Sequence, residues 1–188
     1  MKRRARGDED KAQRVGEILA AGRDLWSRTS WSDFTVGAVA QRAGVVKGTI
    51  YLYFPTREHL LLAVFDCLFD EYVDDVNGAL EKRRGRWSAD HVAEAFAKPL
   101  RDRHALLRIL PIAGSLNSND AANASTRLTK TAQLLESRIP SLRRGDGLNF
   151  LIRANALLTG LAAMGVPDLE REFRESLIAL LHGMEKQK

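Results

Sequence analysis

Residues 40–57 read AQRAGVVKGTIYLYFPTR. Two glycines bracket two valines and a lysine, three aromatics follow in four residues, and a basic residue stands just past a proline. Immediately upstream, Thr35 precedes Val36, Val39, Ala40 and Ala43, a spacing of three and four that predicts a short helix with the threonine as its N-cap. Gly44 is suited to end that helix in the left-handed conformation. Ile50 and Phe54, four apart, predict a second short helix, which Pro55 stops. Two helices of about two turns each, joined by a tight turn, make a helix-turn-helix. Ala40 is small enough to let the helices cross closely, and Ile50 fills the gap between them.

With Ile50 and Phe54 on the inner face of the second helix, Gly48, Thr49, Tyr51 and Leu52 fall on the outer arc, with Tyr53 at its flank. A helix that reads the major groove of DNA places its contacts there. Lys47 at the helix start reaches a guanine edge or a phosphate; Gly48 lets the backbone approach the bases; Thr49 donates to phosphate or touches a thymine methyl. The hydroxyls of Tyr51 and Tyr53 end rigid rings and suit phosphate oxygens, while Leu52 is either plain surface or a thymine-methyl contact. Arg57 opens the next helix and adds its charge to that helix's positive end, which favours a phosphate.

Outward from this stretch the chain reads as helix throughout. Val15, Ile18, Leu19, Leu25 and Trp26 form one apolar stripe over Lys11–Arg28. Downstream of Arg57 lies one long amphipathic segment, with Leu61, Val64, Phe65, Leu68, Phe69, Tyr72 and Val76 on its apolar side. Further helices are expected over 88–103, strained near Pro99, and 104–117, bent or broken at Pro111. Others are expected over 120–139, 148–164 and 167–185. No alternating strand pattern, repeat or low-complexity tract is present, so the expected fold class is all-α.

The 188 residues are 45% hydrophobic and 28% charged, a composition that suits a globular domain with a sizeable core. A single cysteine, Cys67, cannot form an internal disulfide and reads as inert packing. The basic start, MKRRARGDED, leads into no signal-peptide core, and the longest apolar stretches are too short or interrupted to span a bilayer. A cytoplasmic protein without a membrane partner is expected. Net charge is +5, of which residues 1–58 hold +4 (11 Lys/Arg against 7 Asp/Glu), a bias toward a polyanion partner. The basic segment 2–6 reads as a solvated tail or, alternatively, an arm for the minor groove. Glu-x-x-His pairs, HExxH, GxSxG, a Walker-type loop and paired cysteines are all lacking, so neither an enzyme nor a metal or cofactor site is expected. A helical protein-interaction adaptor is the alternative class; it explains a bundle but not the outward face from Lys47 to Tyr53.

The run FTVGAVAQRAGVVKGTIYLYFPTREHLL, residues 34–61, resembles the DNA-binding signature of the tetracycline-repressor (TetR) family, and ILAAGRDLWSRTSW before it is similar to that family's first helix. The resemblance covers about residues 11–65. It implies a basic arm over 1–10, a three-helix DNA-binding domain over 11–56, and a helical effector-binding and dimerisation domain over 57–188. The implied protein is a homodimer on palindromic double-stranded operator DNA, a repressor released by a small-molecule effector, with the helix from Arg57 as lever. Carried over, the DNA contacts fall on Thr35, Lys47, Gly48, Thr49, Tyr51, Leu52, Tyr53 and Arg57. Val46 stands where many relatives have a capping serine, Gly37 and Ala38 replace a polar pair, and Ser30 replaces a turn glycine. The helices that surround the family's effector cavity would bring Phe96, Leu100, His104, Leu107, Asn117 and Met164 to it, with Arg108 and Asn155 as polar residues inside apolar runs. Leu151, Ala154, Leu158, Leu161 and Ala162, then Phe173, Leu177, Leu180 and Leu181, suit a four-helix dimer interface or, alternatively, the closing of the subunit's own core.

Overall fold

The computed structural model describes the backbone of residues 2–116 and 121–186 and the side chains of 9–116 and 128–185. The described residues are helical with no strand, and they divide into two compact units, the first ending at Cys67 and the second beginning at Leu68.

The first unit is built on α1 (Lys2–Arg28), α2 (Val36–Ala43), α3 (Lys47–Tyr51) and the start of α4 (Arg57–Lys82). The helical backbone of α1 begins at Lys2, well before the apolar stripe that predicts it from Lys11. Thr35 Oγ1 accepts the Ala38 amide at 3.1 Å and so caps α2. Gly44 closes it with φ +66°, and its amide and that of Val45 return to the last carbonyls. α3 is shorter than the two turns its sequence suggests. After Tyr51 the chain tightens, with the Tyr53 amide donating to the Ile50 carbonyl at 3.0 Å and that of Phe54 to the same oxygen at 2.9 Å. Pro55 follows and permits no further turn.

Ile18, Trp26, Phe34, Val39, Ile50, Leu60 and Val64 are sealed in this unit's core. Trp26 meets Phe34 edge to face at 5.8 Å. Burying Ile50 completely contributes roughly 1.5–3 kcal/mol, a large return for a five-residue helix that could not stand alone. α1 needs Gly22 because a Cβ there would come within 2.9 Å of Val64 Cγ2.

The second unit comprises the rest of α4, α5 (Ala89–Ala97), a 3-10 turn (Lys98–Leu100), α6 (His104–Leu116), α7 (Ala121–Arg138), α8 (Asp146–Met164) and α9 (Leu169–Lys186). Pro99 falls in the 3-10 turn, where the lost amide ends α5. Pro111 does not break α6, which continues through it to Leu116. Phe96 and Phe150 meet edge to face at 5.7 Å in the core. α7 and α8 cross at Gly147, where a Cβ would run into the Ala132 carbonyl. The N-terminus of α8 has an acceptor that its sequence does not advertise: Glu136 Oε1, from α7, takes the amides of Gly145 at 2.8 Å and Gly147 at 3.0 Å.

α8, 19 residues long from Asp146, is long and apolar enough to cross a membrane by length and composition alone. Its face carrying Gly147, Phe150, Leu151, Ala154 and Leu158 is buried in the unit's core.

Candidate nucleic-acid interface

Local sequence explains how α3 is presented. Ile50 at 0% and Phe54 at 8% exposure anchor it from one side, and the α2 turn at Gly44 sets the angle at which it leaves. With no side-chain cap at Val46, nothing but packing and the tightened last turn holds it. The opposite side stays in solvent: Tyr51 is 51% exposed and Leu52 81%. Lys47, Gly48 and Thr35 are exposed, while Thr49, Tyr53 and Arg57 are half-buried. The eight residues expected to meet DNA thus lie on α3, the turn after it and the first residues of α2 and α4.

Three features were not foreseen. Val46, 73% exposed, sits beside Lys47 on the same outward surface. Gly37 lies under Lys47, whose Nζ is 3.1 Å from where a Cβ would be. Arg57 has a neighbour in the protein: its guanidinium lies 3.7 Å from the centroid of the Trp31 ring, which stacks on Phe34, and its Nε is 3.4 Å from Glu58 Oε1. Trp31 carried no periodic signal in the loop TSWSDF, so only the fold reveals the stack.

Charges around the helix-turn-helix are locked locally. Asp24 on α1 binds both Arg28, at 2.9 Å, and Arg42 of α2. Burial pushes its carboxyl up, and the two guanidiniums outweigh it, leaving the group below its ordinary 3.8. A carboxyl held low contributes its stability above the unfolded value and loses it as acid protonates the folded form, so this α1–α2 clamp is intact at neutral pH. Glu58 is also held low, first by its own amide and then by Thr56 and Arg57. Thr56 Oγ1 in turn accepts the His59 amide at 3.2 Å and caps α4.

In the second unit, a cavity of about 30 Å³ is lined by Phe69, Tyr72, Phe96, Thr131, Leu158 and Phe173, among others. Its two hydroxyl groups are already engaged: Tyr72 donates to the Phe96 carbonyl at 2.9 Å and Thr131 to Asn77 Oδ1 at 2.8 Å. Burial pushes the Tyr72 phenol up, so it remains a neutral donor. Of the expected lining residues, Phe96 and Asn155 border the cavity. Leu100 is buried elsewhere in the core, Leu107 is half-buried, and His104 and Arg108 are exposed; none of the four lines it. Met164, 78% exposed at the end of α8, points to solvent, and Asn117 lies outside the described residues. Sequence places a residue on a helix but not the helix's rotation about its axis, so which of these residues border this cavity is decided by the packing.

The same holds for the apolar stripes of α8 and α9. Leu151, Ala154, Leu158, Phe173, Leu177 and Leu181 are buried within the subunit, so they form its core and are not available to a second copy. The apolar residues left in solvent on α8 are Ile152, at 57% exposure, with Ala156, Ala163 and Met164. Among the described residues no group of three or more His, Cys, Asp or Glu side chains is placed to hold a metal.

Residues 18–64 match the model of the tetR family of bacterial regulatory proteins. The chain is 36% identical over 64 residues to the HTH-type transcriptional repressor KstR of Mycolicibacterium smegmatis, covering 34% of this chain and 31% of that protein. The match spans about a third of the length of such curated relatives. Over the whole fold, the TetR family repressor AlkX from a Dietzia strain, implicated in n-alkane biodegradation, superposes with a TM-score of 0.68 at 18% identity, covering 90% of this chain and 94% of that one. The regulator FadR from Bacillus subtilis, solved in complex with stearoyl-CoA, gives 0.55 at 16% identity, covering 88% and 96%. The signature around α2 and α3 thus matches the tetR family of bacterial regulatory proteins over residues 18–64, and the helical architecture after it shares the fold of solved structures of that family.

Proposed function

We propose that the protein is a sequence-specific transcriptional repressor that leaves its operator when a small apolar effector occupies the second unit. The observation that carries the reading is the two-sidedness of α3, with Ile50 and Phe54 sealed inside and Lys47, Gly48, Tyr51 and Leu52 in solvent. Lys47 and Leu52 face base edges, Gly48 allows close approach, and Thr35, Thr49, Tyr51, Tyr53 and Arg57 hold phosphates. Arg57 does so from a side chain already stacked on Trp31, so it contributes charge at a fixed place. In this reading residues 1–10 are a basic arm, 11–56 bind DNA, and 57–188 bind effector and a second copy.

The chemistry of the cavity supports an uncharged ligand or ligand portion. Among the described residues no charged side chain lines it and its hydroxyls are spent on the protein, so a buried charge would meet no counter-charge there. At about 30 Å³ it has room for a water or two, whereas ligand pockets run to roughly 300 Å³ or more. The effector therefore opens it, and can bias DNA binding only through its different affinity for the open and closed forms. That AlkX is implicated in alkane degradation and FadR was solved with stearoyl-CoA supports an aliphatic chain as the class. A homodimer would cover Ile152, Ala156 and Ala163, and its twofold axis would impose a palindromic operator.

The test is selection of bound fragments from random duplexes, followed by anisotropy titration of the selected duplex and a scrambled one across a salt series. Preference for the selected fragment, with affinity falling linearly in log salt, is expected. Equal affinity for both duplexes overturns the reading.

A further inference from the structure

Gly37 is out of place by every local rule. It sits in the first turn of α2, an eight-residue helix, and glycine is the poorest helix former after proline. Its backbone does not require glycine, since the positive-φ positions among the described residues are Gly44, Gly85, Gly145 and Gly165. What occupies the space of its missing side chain is Lys47: a Cβ at residue 37 would lie 2.7 Å from Lys47 Cε and 3.1 Å from Nζ. Gly16 and Gly48, by contrast, have nothing within 4 Å of that position. Thr35 Oγ1, 3.8 Å from the same point, is already engaged by the Ala38 amide.

We infer that Gly37 is a positioning residue, a seat on α2 that holds the end of the Lys47 side chain and presents its ammonium at one place on the DNA-facing surface. This rests on the reading of α3 as the DNA-contacting helix. A free lysine surrenders most of its rotamer freedom when it closes on a phosphate or a base. One whose last methylene lies against a helix has surrendered part of it beforehand, so it binds more tightly and tolerates fewer arrangements of its partner.

The consequence is a variant in which stability and affinity move in opposite directions. In Gly37→Ala the new methyl meets only the flexible end of Lys47, so α2 gains helix propensity and the midpoint of thermal unfolding rises. Affinity for the selected duplex falls by about three- to tenfold as Lys47 regains rotamer freedom, with less loss on a scrambled duplex. In a Lys47→Ala background, Gly37→Ala changes affinity by less than about twofold, because the coupling between the two positions has been removed.

A readout without DNA uses protein labelled with carbon-13 at lysine. The Lys47 Cε resonance should stand apart from those of other exposed lysines in the wild type and join them in Gly37→Ala. The inference is overturned if Gly37→Ala binds the selected duplex as well as the wild type does, if it weakens binding equally in the Lys47→Ala background, or if the Lys47 resonance already lies among the exposed lysines. A wild type with no duplex preference would overturn the functional reading instead, and the resonance would still decide whether Gly37 seats Lys47.

Discussion

Tyr51→Phe isolates one hydroxyl. The ring is 51% exposed on α3 and its oxygen makes no hydrogen bond among the described residues, so phenylalanine changes neither the core nor a polar partner there. The folded state should be unaffected, within the roughly 0.5 kcal/mol usual for surface substitutions. On DNA the hydroxyl is expected to donate to a phosphate oxygen, and a hydrogen bond to a charged group is worth about 1.5–3 kcal/mol. At 1.4 kcal/mol per tenfold, each half-site loses roughly ten- to a hundredfold in affinity, and a dimer engaging two half-sites loses more. The assay is anisotropy with a labelled selected duplex at fixed salt, alongside thermal unfolding of the free protein. An affinity within twofold of the wild type, at unchanged unfolding midpoint, would refute the placement of Tyr51 at the backbone. A fall in the midpoint would refute its description as a surface group.

Arg57→Ala should combine two effects, because the guanidinium both stacks on Trp31 and adds positive charge: about 0.5–1 kcal/mol of stability is lost with the stack, and the salt slope of DNA binding falls by about one for every sequence alike. Denaturant unfolding and a salt titration read the two separately. Gly147→Ala should destabilise the second unit by about 1–3 kcal/mol through the forced contact with the Ala132 carbonyl, whereas Gly78→Ala, which meets nothing within 4 Å, should stabilise it by up to about 1 kcal/mol; chemical denaturation compares them. Glu136→Gln keeps the shape but weakens the acceptor for the Gly145 and Gly147 amides, with an expected loss of about 1 kcal/mol in the same measurement. Ile152→Arg leaves the subunit core untouched and should convert the protein to a monomer in light scattering, with selected-duplex affinity reduced accordingly; a dimer of unchanged stability would move the interface elsewhere.

Local chemistry made the first unit readable from the chain alone. A threonine cap, a left-handed glycine, an isoleucine and a phenylalanine four apart and a stopping proline each act within a few residues, so their order along the chain is enough to define α2, the turn and α3, and to say which side of α3 faces out. The all-helical class followed from the same periodicities. Tertiary structure alone decided what depends on partners distant in sequence. Arg57 finds Trp31 across a loop with no pattern of its own, Glu136 reaches forward to cap α8, and Lys47 folds over Gly37. Helix rotation decided the rest: Leu151, Leu158, Phe173 and Leu177 turn inward, while Ile152 and Met164 turn out. An apolar stripe reveals that a helix buries one face, but the neighbour that covers it is chosen by the packing of the whole unit, where many weak contacts add up and no short stretch of sequence carries the answer.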